Sequence, residues 1–138
     1  MIFTHKVLIV GDQQSIKMLV SNILSDYDES LDIALVNDGR QALISIAHHL
    51  PDLVITDLDM PNMDGMELIN YLMNISSRPK IIVLVDYKLP SKQKTSAFSN
   101  HVIERSGADY RLSKSDIRTG LIPCVAKCFS HNYAGLSS

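Results

Sequence analysis

Hydrophobic and polar positions along the chain follow two alternating rhythms. Lys6-Val7-Leu8-Ile9-Val10 is a short apolar run, rich in β-branched residues, that ends at Gly11-Asp12. Such a run predicts a strand buried on both faces, as in a parallel sheet. Ile16, Leu19, Val20, Ile23 and Leu24 then recur at helical spacing with mostly polar residues between them, which predicts an amphipathic helix covering that sheet. The two rhythms repeat along the rest of the chain. Residues 31–36 predict a second strand, and Asn37-Asp38-Gly39 a turn in which Asp38 caps a helix through Ala42, Leu43, Ile46 and Ala47, stopped by Pro51. Residues 52–57 predict the third strand. A loop over 58–65 holds Pro61, Asn62 and Gly65, and Met66, Ile69, Leu72 and Met73, with Leu68 beside them, form the next helical stripe.

Residues 80–85 predict the fourth strand, followed by a polar, lysine-bearing stretch over 86–96. A helix is expected over 97–106, with Phe98, Val102 and Ile103 inward and Gly107 as its left-handed C-cap. Residues 108–112 predict a fifth strand. A Ser115-Asp116 cap then opens a last helix through Ile117, Leu121, Ile122, Val125, Ala126 and Phe129. Pro123 falls inside that pattern and predicts a kink or a later start. Five alternations of strand and helix imply an α/β domain: a doubly wound parallel sheet with helices on both faces and right-handed crossovers. No repeat or linker divides the chain, so the reading is a single domain over 1–130 with a loose tail over 131–138.

Composition narrows the function classes. With 138 residues, 46% hydrophobic and 20% charged, the chain suits one globular domain and argues against disorder. A net charge of -2 gives no positive field for nucleic acid or an anionic membrane. No helix-turn-helix follows the last helix. No apolar run approaches the about 18 residues that span a bilayer, and no leader pattern opens the chain, so the expected location is the cytoplasm. Cys124 and Cys128 stand four apart in a helical pattern without further ligands nearby, and read as small, partly buried residues in a reducing compartment. His48 and His49 cannot both face one metal from a helix and read as surface residues. Lys88, Lys92 and Lys94 read as a solvated loop.

The candidate chemistry lies at the carboxyl ends of the strands, where open parallel sheets place their functional crevice. Strand one ends at Gly11 and Asp12, strand three at Asp57 with Asp59 beyond, strand four at Val85 and Asp86, and strand five near Ser113 and Lys114. Carboxylates held together repel one another unless a cation sits between them. Oxygen ligands of this kind suit Mg²⁺, which keeps waters and a substrate phosphate, and a lysine opposite supplies a point charge for a phosphoryl oxygen. Taken singly, these acids read as helix caps, with Asp12 before the first helix and Asp64 before the third. Together with Lys114 the capping reading is the weaker one.

The segment Pro51-Asp52-Leu53-Val54-Ile55-Thr56-Asp57-Leu58-Asp59-Met60-Pro61-Asn62-Met63-Asp64-Gly65-Met66-Glu67-Leu68 closely resembles the phosphorylation-site segment of response regulator receiver domains. Gly107-Ala108-Asp109-Tyr110-Arg111-Leu112-Ser113-Lys114 resembles the fifth-strand segment of that family, and Asn37-Asp38-Gly39-Arg40-Gln41-Ala42-Leu43 its second-helix entry. The likeness covers roughly residues 6 to 129. It implies a flavodoxin-like sheet of order 2-1-3-4-5 flanked by five helices. It also implies a role in two-component phosphorelay signalling. On that resemblance Asp57 is the aspartate that accepts a phosphoryl group from a sensor histidine kinase or phosphotransfer protein, and Lys114 contacts that group. Asp12 and Asp57 would be Mg²⁺ ligands, with Asp59 contributing its backbone carbonyl. The implied partners are the kinase and an output protein or domain, docked on the surface of the fourth helix, fifth strand and fifth helix, with a homodimer compatible. No enzyme activity is implied beyond self-catalysed phosphoryl transfer and autodephosphorylation.

The sequence departs from the family pattern at the switch. Gly11 replaces one acid of the usual pair, which weakens the implied Mg²⁺ site. Val85 stands where a hydroxyl residue is usual, Asp86 where a small residue is usual, Arg111 where an aromatic is usual and Ser115 where Pro is usual. The stretch between Val85 and Gly107 is also longer than is typical. A valine and an arginine exclude the usual hydroxyl–aromatic relay. Either phosphorylation is read through another contact, or the domain is a phosphorylation-independent pseudo-receiver acting as a protein-binding module. Asp57-Leu58-Asp59 also has the form of the acid pair of haloacid-dehalogenase phosphatases, but on the third strand and in the wrong turn context. Gly11 lacks the further glycines of a nucleotide-binding loop.

Overall fold

The computed structural model describes residues 3–86 and 105–130 in full and the backbone of 131–137. Five strands, β1 (His5–Val10), β2 (Leu31–Val36), β3 (Leu53–Asp57), β4 (Lys80–Val85) and β5 (Tyr110–Ser113), form one sheet in the order β2-β1-β3-β4-β5, and every neighbouring pair is parallel. The described helices are α1 (Gln14–Tyr27), α2 (Gly39–His48), α3 (Gly65–Met73) and α4 (Ile117–Ser137), with a single 3₁₀ turn, Lys114–Asp116, before the last. The expected α/β class, sheet order and parallel pairing are therefore all present.

The period of two along the central strands splits the interior into two cores. Val7, Ile9, Leu53, Ile55, Ile82 and Leu84 pack on one face of the sheet with Val20 and Leu24 of α1 and Leu121 and Val125 of α4. Leu8, Val10, Val54, Ile81, Val83 and Val85 pack on the other with Ala42 and Ile46 of α2 and Leu68, Ile69 and Leu72 of α3. Every residue of β3 is buried, whereas the outer strand β2 is mostly half-buried. This is why the central runs read as unbroken apolar sequence. The strand order reverses beside β1, so the crevice of the fold opens at the carboxyl ends of β1 and β3.

Several expectations need adjustment. Four α-helices stand among the described residues where five were expected. The helix expected over 97–106 lies mostly outside those residues, as do Lys88, Lys92, Lys94, Phe98, Val102 and Ile103. Arg105 is helical, and Gly107 has φ +100°. That left-handed backbone favours glycine, as expected of a C-cap, and a Cβ there would also displace the Met73 side chain, 2.2 Å away at Sδ. The tail expected to be loose is instead helical backbone, since α4 runs to Ser137. Helical hydrogen bonding continues there without an apolar pattern that sequence reading could detect. The last helix also starts differently. Ser113, two residues earlier than expected and still in β5, accepts from Ser115 N and caps the 3₁₀ turn that leads into α4. Pro123 lies inside α4 rather than before it, so the Thr119 carbonyl receives no helical bond from that position. Cys124 and Cys128 are free thiols, half-buried and buried, and burial pushes the Cys128 thiol up to about 12. His48 and His49 are exposed, and His48 Nδ1 bonds its own helix at Ile44 O.

Candidate functional site

Asp57 ends the most deeply buried strand and is itself only 4% exposed. A buried carboxylate needs partners, and this one has them. Oδ1 accepts from the Leu58 backbone N–H at 2.8 Å, and Oδ2 accepts from Lys114 Nζ at 2.7 Å. Lys114 opens the 3₁₀ turn after β5, and its Nζ also donates to Gln13 Oε1 at 3.1 Å. The sheet makes this meeting possible. Asp57 pairs in register with Leu84, and Val85 with Ser113, so the ends of β3, β4 and β5 lie at adjacent levels.

The backbone around Asp57 is equally constrained. Thr56 Oγ1 donates to Asp57 O at 2.8 Å, and Gly65 N donates to Leu58 O at 2.9 Å. A Cβ on Gly65 would lie 2.2 Å from Asp57 O, so the start of α3 approaches the Asp57 peptide closer than any side chain permits. Asp64 caps α3 through Glu67 N, as expected. Asp12 does not cap α1. Gln13 takes the N-cap position without a side-chain bond, and Asp12 is exposed beside the site. With Gln13 at the cap position, Asp12 lies one residue outside the helix start.

The structure thus brings Asp57 and Lys114 into direct contact, while Asp12 and Asp59 are exposed on the two flanking loops. Among the described residues, no group of three or more acid, His or Cys side chains comes together to hold a metal ion. A Mg²⁺ site does not require one, because that ion commonly takes one or two carboxylates and fills its remaining positions with water and phosphate oxygens. The donors at hand are all oxygens and fit that ion: the Asp57 carboxylate, the Asp12 carboxylate and the Asp59 backbone carbonyl. Gly11 lies against Asp57, where a Cβ would be 3.6 Å from Asp57 Cβ, an ordinary contact. The missing second acid therefore leaves room rather than a filled wall. Val85 is 5% exposed and offers no hydroxyl, Ser113 bonds Ser115 across the turn, and Arg111 is exposed.

Three residues around the site escaped the sequence reading. Gln13 shares Lys114. Lys17, only 3% exposed, donates to Val36 O at 3.4 Å and to Asn37 Oδ1. Its signal was its place on the buried stripe of α1 with Val20 and Leu24. Asn62, read only as a loop residue, has φ 67° and donates from Nδ2 to Asp38 Oδ2 at 2.8 Å. Asp38 caps α2 as expected through Gln41 N. That bond first, and the Asn62 amide second, hold the Asp38 carboxyl below the usual carboxylate range. Asp109, part of the resembling fifth-strand segment, lies away from the site. It pairs with Arg78 at 3.1 Å and accepts from Ile81 N at 2.8 Å, tying the start of β4 to the segment before β5.

Comparisons with known proteins agree with this geometry. Residues 7–119 match the family model of the response regulator receiver domain. Chemotaxis protein CheY of Bacillus subtilis is 33% identical over 79 residues, which cover 57% of this chain and 65% of that protein. Sporulation initiation phosphotransferase F of Bacillus subtilis is 31% identical over 83 residues, covering 60% of this chain and 65% of that protein. The chain spans only 23% of the protein-glutamate methylesterase/protein-glutamine glutaminase 1 of Methanospirillum hungatei, so some curated relatives carry this segment within much longer proteins. The structure of the chemotaxis response regulator CheY4 of Vibrio cholerae superposes with a TM-score of 0.73 at 26% identity, covering 91% of this chain and 98% of that one. A buried aspartate paired to a lysine across the carboxyl ends of a 2-1-3-4-5 sheet, in a chain matched over 7–119, means that this protein belongs to the response regulator receiver domain family of two-component signalling.

Proposed function

We propose that Asp57 accepts a phosphoryl group from a histidine kinase or phosphotransfer protein, and that Lys114 is the cation that stabilises it. The observation that carries this reading is the 2.7 Å contact between Lys114 Nζ and Asp57 Oδ2 at the buried end of β3. In the transfer, one Asp57 carboxylate oxygen forms the bond to phosphorus as the P–N bond to the donor histidine breaks. The leaving imidazole nitrogen takes up a proton, and Asp57 becomes an acyl phosphate. Lys114 balances charge on the phosphoryl oxygens, and the Leu58 N–H fixes the orientation of the carboxylate. Asp12, Asp57 and the Asp59 carbonyl would hold Mg²⁺, which when bound neutralises phosphoryl oxygens. The missing acid at Gly11 makes that hold weaker than in a pocket with two acids.

On this reading residues 1–130 act as the receiver unit and 131–138 as its appendage. The protein works in the cytoplasm, without direct nucleic-acid or membrane contact, and without catalytic activity beyond its own phosphorylation and dephosphorylation. Among the described residues no helix is long and apolar enough to cross a membrane. The test is incubation of the purified protein with Mg²⁺ and a small phosphodonor, with mass spectrometry of the intact chain. A Mg²⁺-dependent phosphoryl adduct on Asp57, absent in Asp57→Asn, is expected. Absence of an adduct from the folded wild-type protein would refute the reading and leave a binding-only pseudo-receiver.

A further inference from the structure

The turn before α2 and the loop after β3 are joined by a polar clamp whose bonds include neither Asp57 nor Lys114. Asp38 is 6% exposed and employs both carboxylate oxygens: Oδ1 accepts from Gln41 N at 2.9 Å, and Oδ2 accepts from Asn62 Nδ2 at 2.8 Å. A helix cap needs only the first of these bonds, and a serine would supply it. The second oxygen reaches across to the middle of the loop that follows Asp57. There Asn62 adopts φ 67°, a left-handed conformation that an asparagine holds more readily than most residues when its side chain has a partner. A parallel backbone link, Gly39 N to Met63 O at 3.2 Å, joins the same two segments.

The turn that anchors this loop is itself fixed. Val36 O accepts from both Gly11 N and Lys17 Nζ, Asn37 Oδ1 accepts from Lys17 Nζ, and Asn37 N donates to Gln41 Oε1. The contacts therefore run from Gly11, beside Asp57, through the β2–α2 turn to Asn62, and back along the loop to Leu58. We infer that Asp38 is a positioning residue for the phosphoacceptor loop, acting through the Asn62 amide to hold residues 58–64 in the geometry that presents Leu58 N and the Asp59 carbonyl at Asp57. In its catalytic consequence this rests on the phosphoacceptor reading above. In its structural consequence it does not.

Three variants separate the clamp from simpler roles. Asn62→Gly keeps the left-handed backbone without strain and removes the amide but also loosens the backbone, so a clamp requires the same loop effect in Asp38→Ser. Asp38→Ser keeps the α2 cap and removes the acceptor for Asn62. Asp38→Asn retains both bonds if the Asn62 amide turns its oxygen inward. Amide hydrogen exchange across residues 58–64 is measured on the unphosphorylated full chain, beside the rate of adduct formation with Mg²⁺ and a small phosphodonor. Asn62→Gly and Asp38→Ser are expected to speed exchange in this loop about tenfold, the scale of one lost charge-assisted hydrogen bond. α2 should stay protected and adduct formation should slow in parallel. Asp38→Asn should behave as wild type, and the Asn62→Gly/Asp38→Ser double variant should be no worse than either single one. Unchanged loop exchange in both single variants would overturn the clamp. Faster exchange with an unchanged adduct rate would overturn its positioning role. A wild-type chain that forms no adduct refutes the phosphoacceptor reading instead, and the exchange data alone then decide whether the clamp exists.

Discussion

The two sides of the Asp57 pocket are built by different means. On the side of β1, β2 and β3, polar groups interlock: Lys17 with Asn37, Asp38 with Gln41 and Asn62, and Asp64 with Glu67. On the side of β4 and β5 the strand ends at this level are Val85, buried among α2 and α3 residues, and Ser113, which bonds its own turn. Lys114 reaches from that second side to the Asp57 carboxylate. One side can hold a nucleophile in fixed geometry. The other lacks the hydroxyl that would respond to a phosphoryl group. On the proposed reading, fixing the acceptor and reading it out are separable tasks, and Val85 at the end of β4 removes a hydroxyl from the second without touching the contacts of the first.

Removing the Lys114 contact should have the largest effect. Lys114→Met leaves a buried Asp57 carboxylate with the Leu58 N–H alone, and removing one partner of a largely buried pair costs about 3 kcal/mol. Denaturant unfolding should report that loss, and adduct formation should fall by at least about a hundredfold, the scale of a lost transition-state charge contact. Retention of wild-type adduct rates would show that Lys114 is an ion-pair partner only.

Damage to the interlocked side comes next. Gly65→Ala places a methyl 2.2 Å from Asp57 O, and relief requires the start of α3 to retreat from β3. A destabilisation of about 2 kcal/mol is expected, in the range for overpacking, together with slower adduct formation. A thermal melt matching wild type would show that the loop yields more easily than its hydrogen bonds suggest.

The two remaining substitutions restore what each side lacks. Val85→Thr buries a hydroxyl without a phosphoryl partner and should cost about 1 kcal/mol at rest. Beryllofluoride with Mg²⁺ supplies an acceptor, so the mimic should raise the melting temperature of Val85→Thr more than that of wild type. Equal shifts would mean that the end of β4 does not face the phosphoryl group. At Gly11→Asp the new Cβ would meet Asp57 in ordinary contact. It should tighten Mg²⁺ binding about tenfold, as supporting acids do at metal sites, while lowering metal-free stability by carboxylate repulsion. Calorimetric titration with Mg²⁺ measures both the affinity and its absence.

The legible parts of this molecule were those in which neighbours in sequence share one environment. The unbroken apolar runs of β1, β3 and β4 announced strands buried on both faces, and the stripes of α1 to α3 announced their covering helices. Asp38 and Asp64 announced their caps because a cap bonds within three residues of itself. Asp57 and Lys114 were legible as strand-end residues and through their resembling segments, although 57 positions separate them. Asp12, for which capping was the weaker reading, is indeed not the cap, because the path of the β1–α1 loop gives that place to Gln13. The helical backbone past residue 130 left no apolar signature to read.

By itself, then, the sequence determined the alternation, the central strands and the Asp38 and Asp64 caps, and it singled out Asp57 and Lys114 as strand-end residues, because periodicity and local hydrogen bonding are properties of short segments. Only the tertiary structure decided that Lys17 is buried, that Gln13 shares Lys114, and that Asn62 belongs to Asp38. Those contacts join segments brought together by the parallel sheet, and no spacing along the chain encodes which loop will face which.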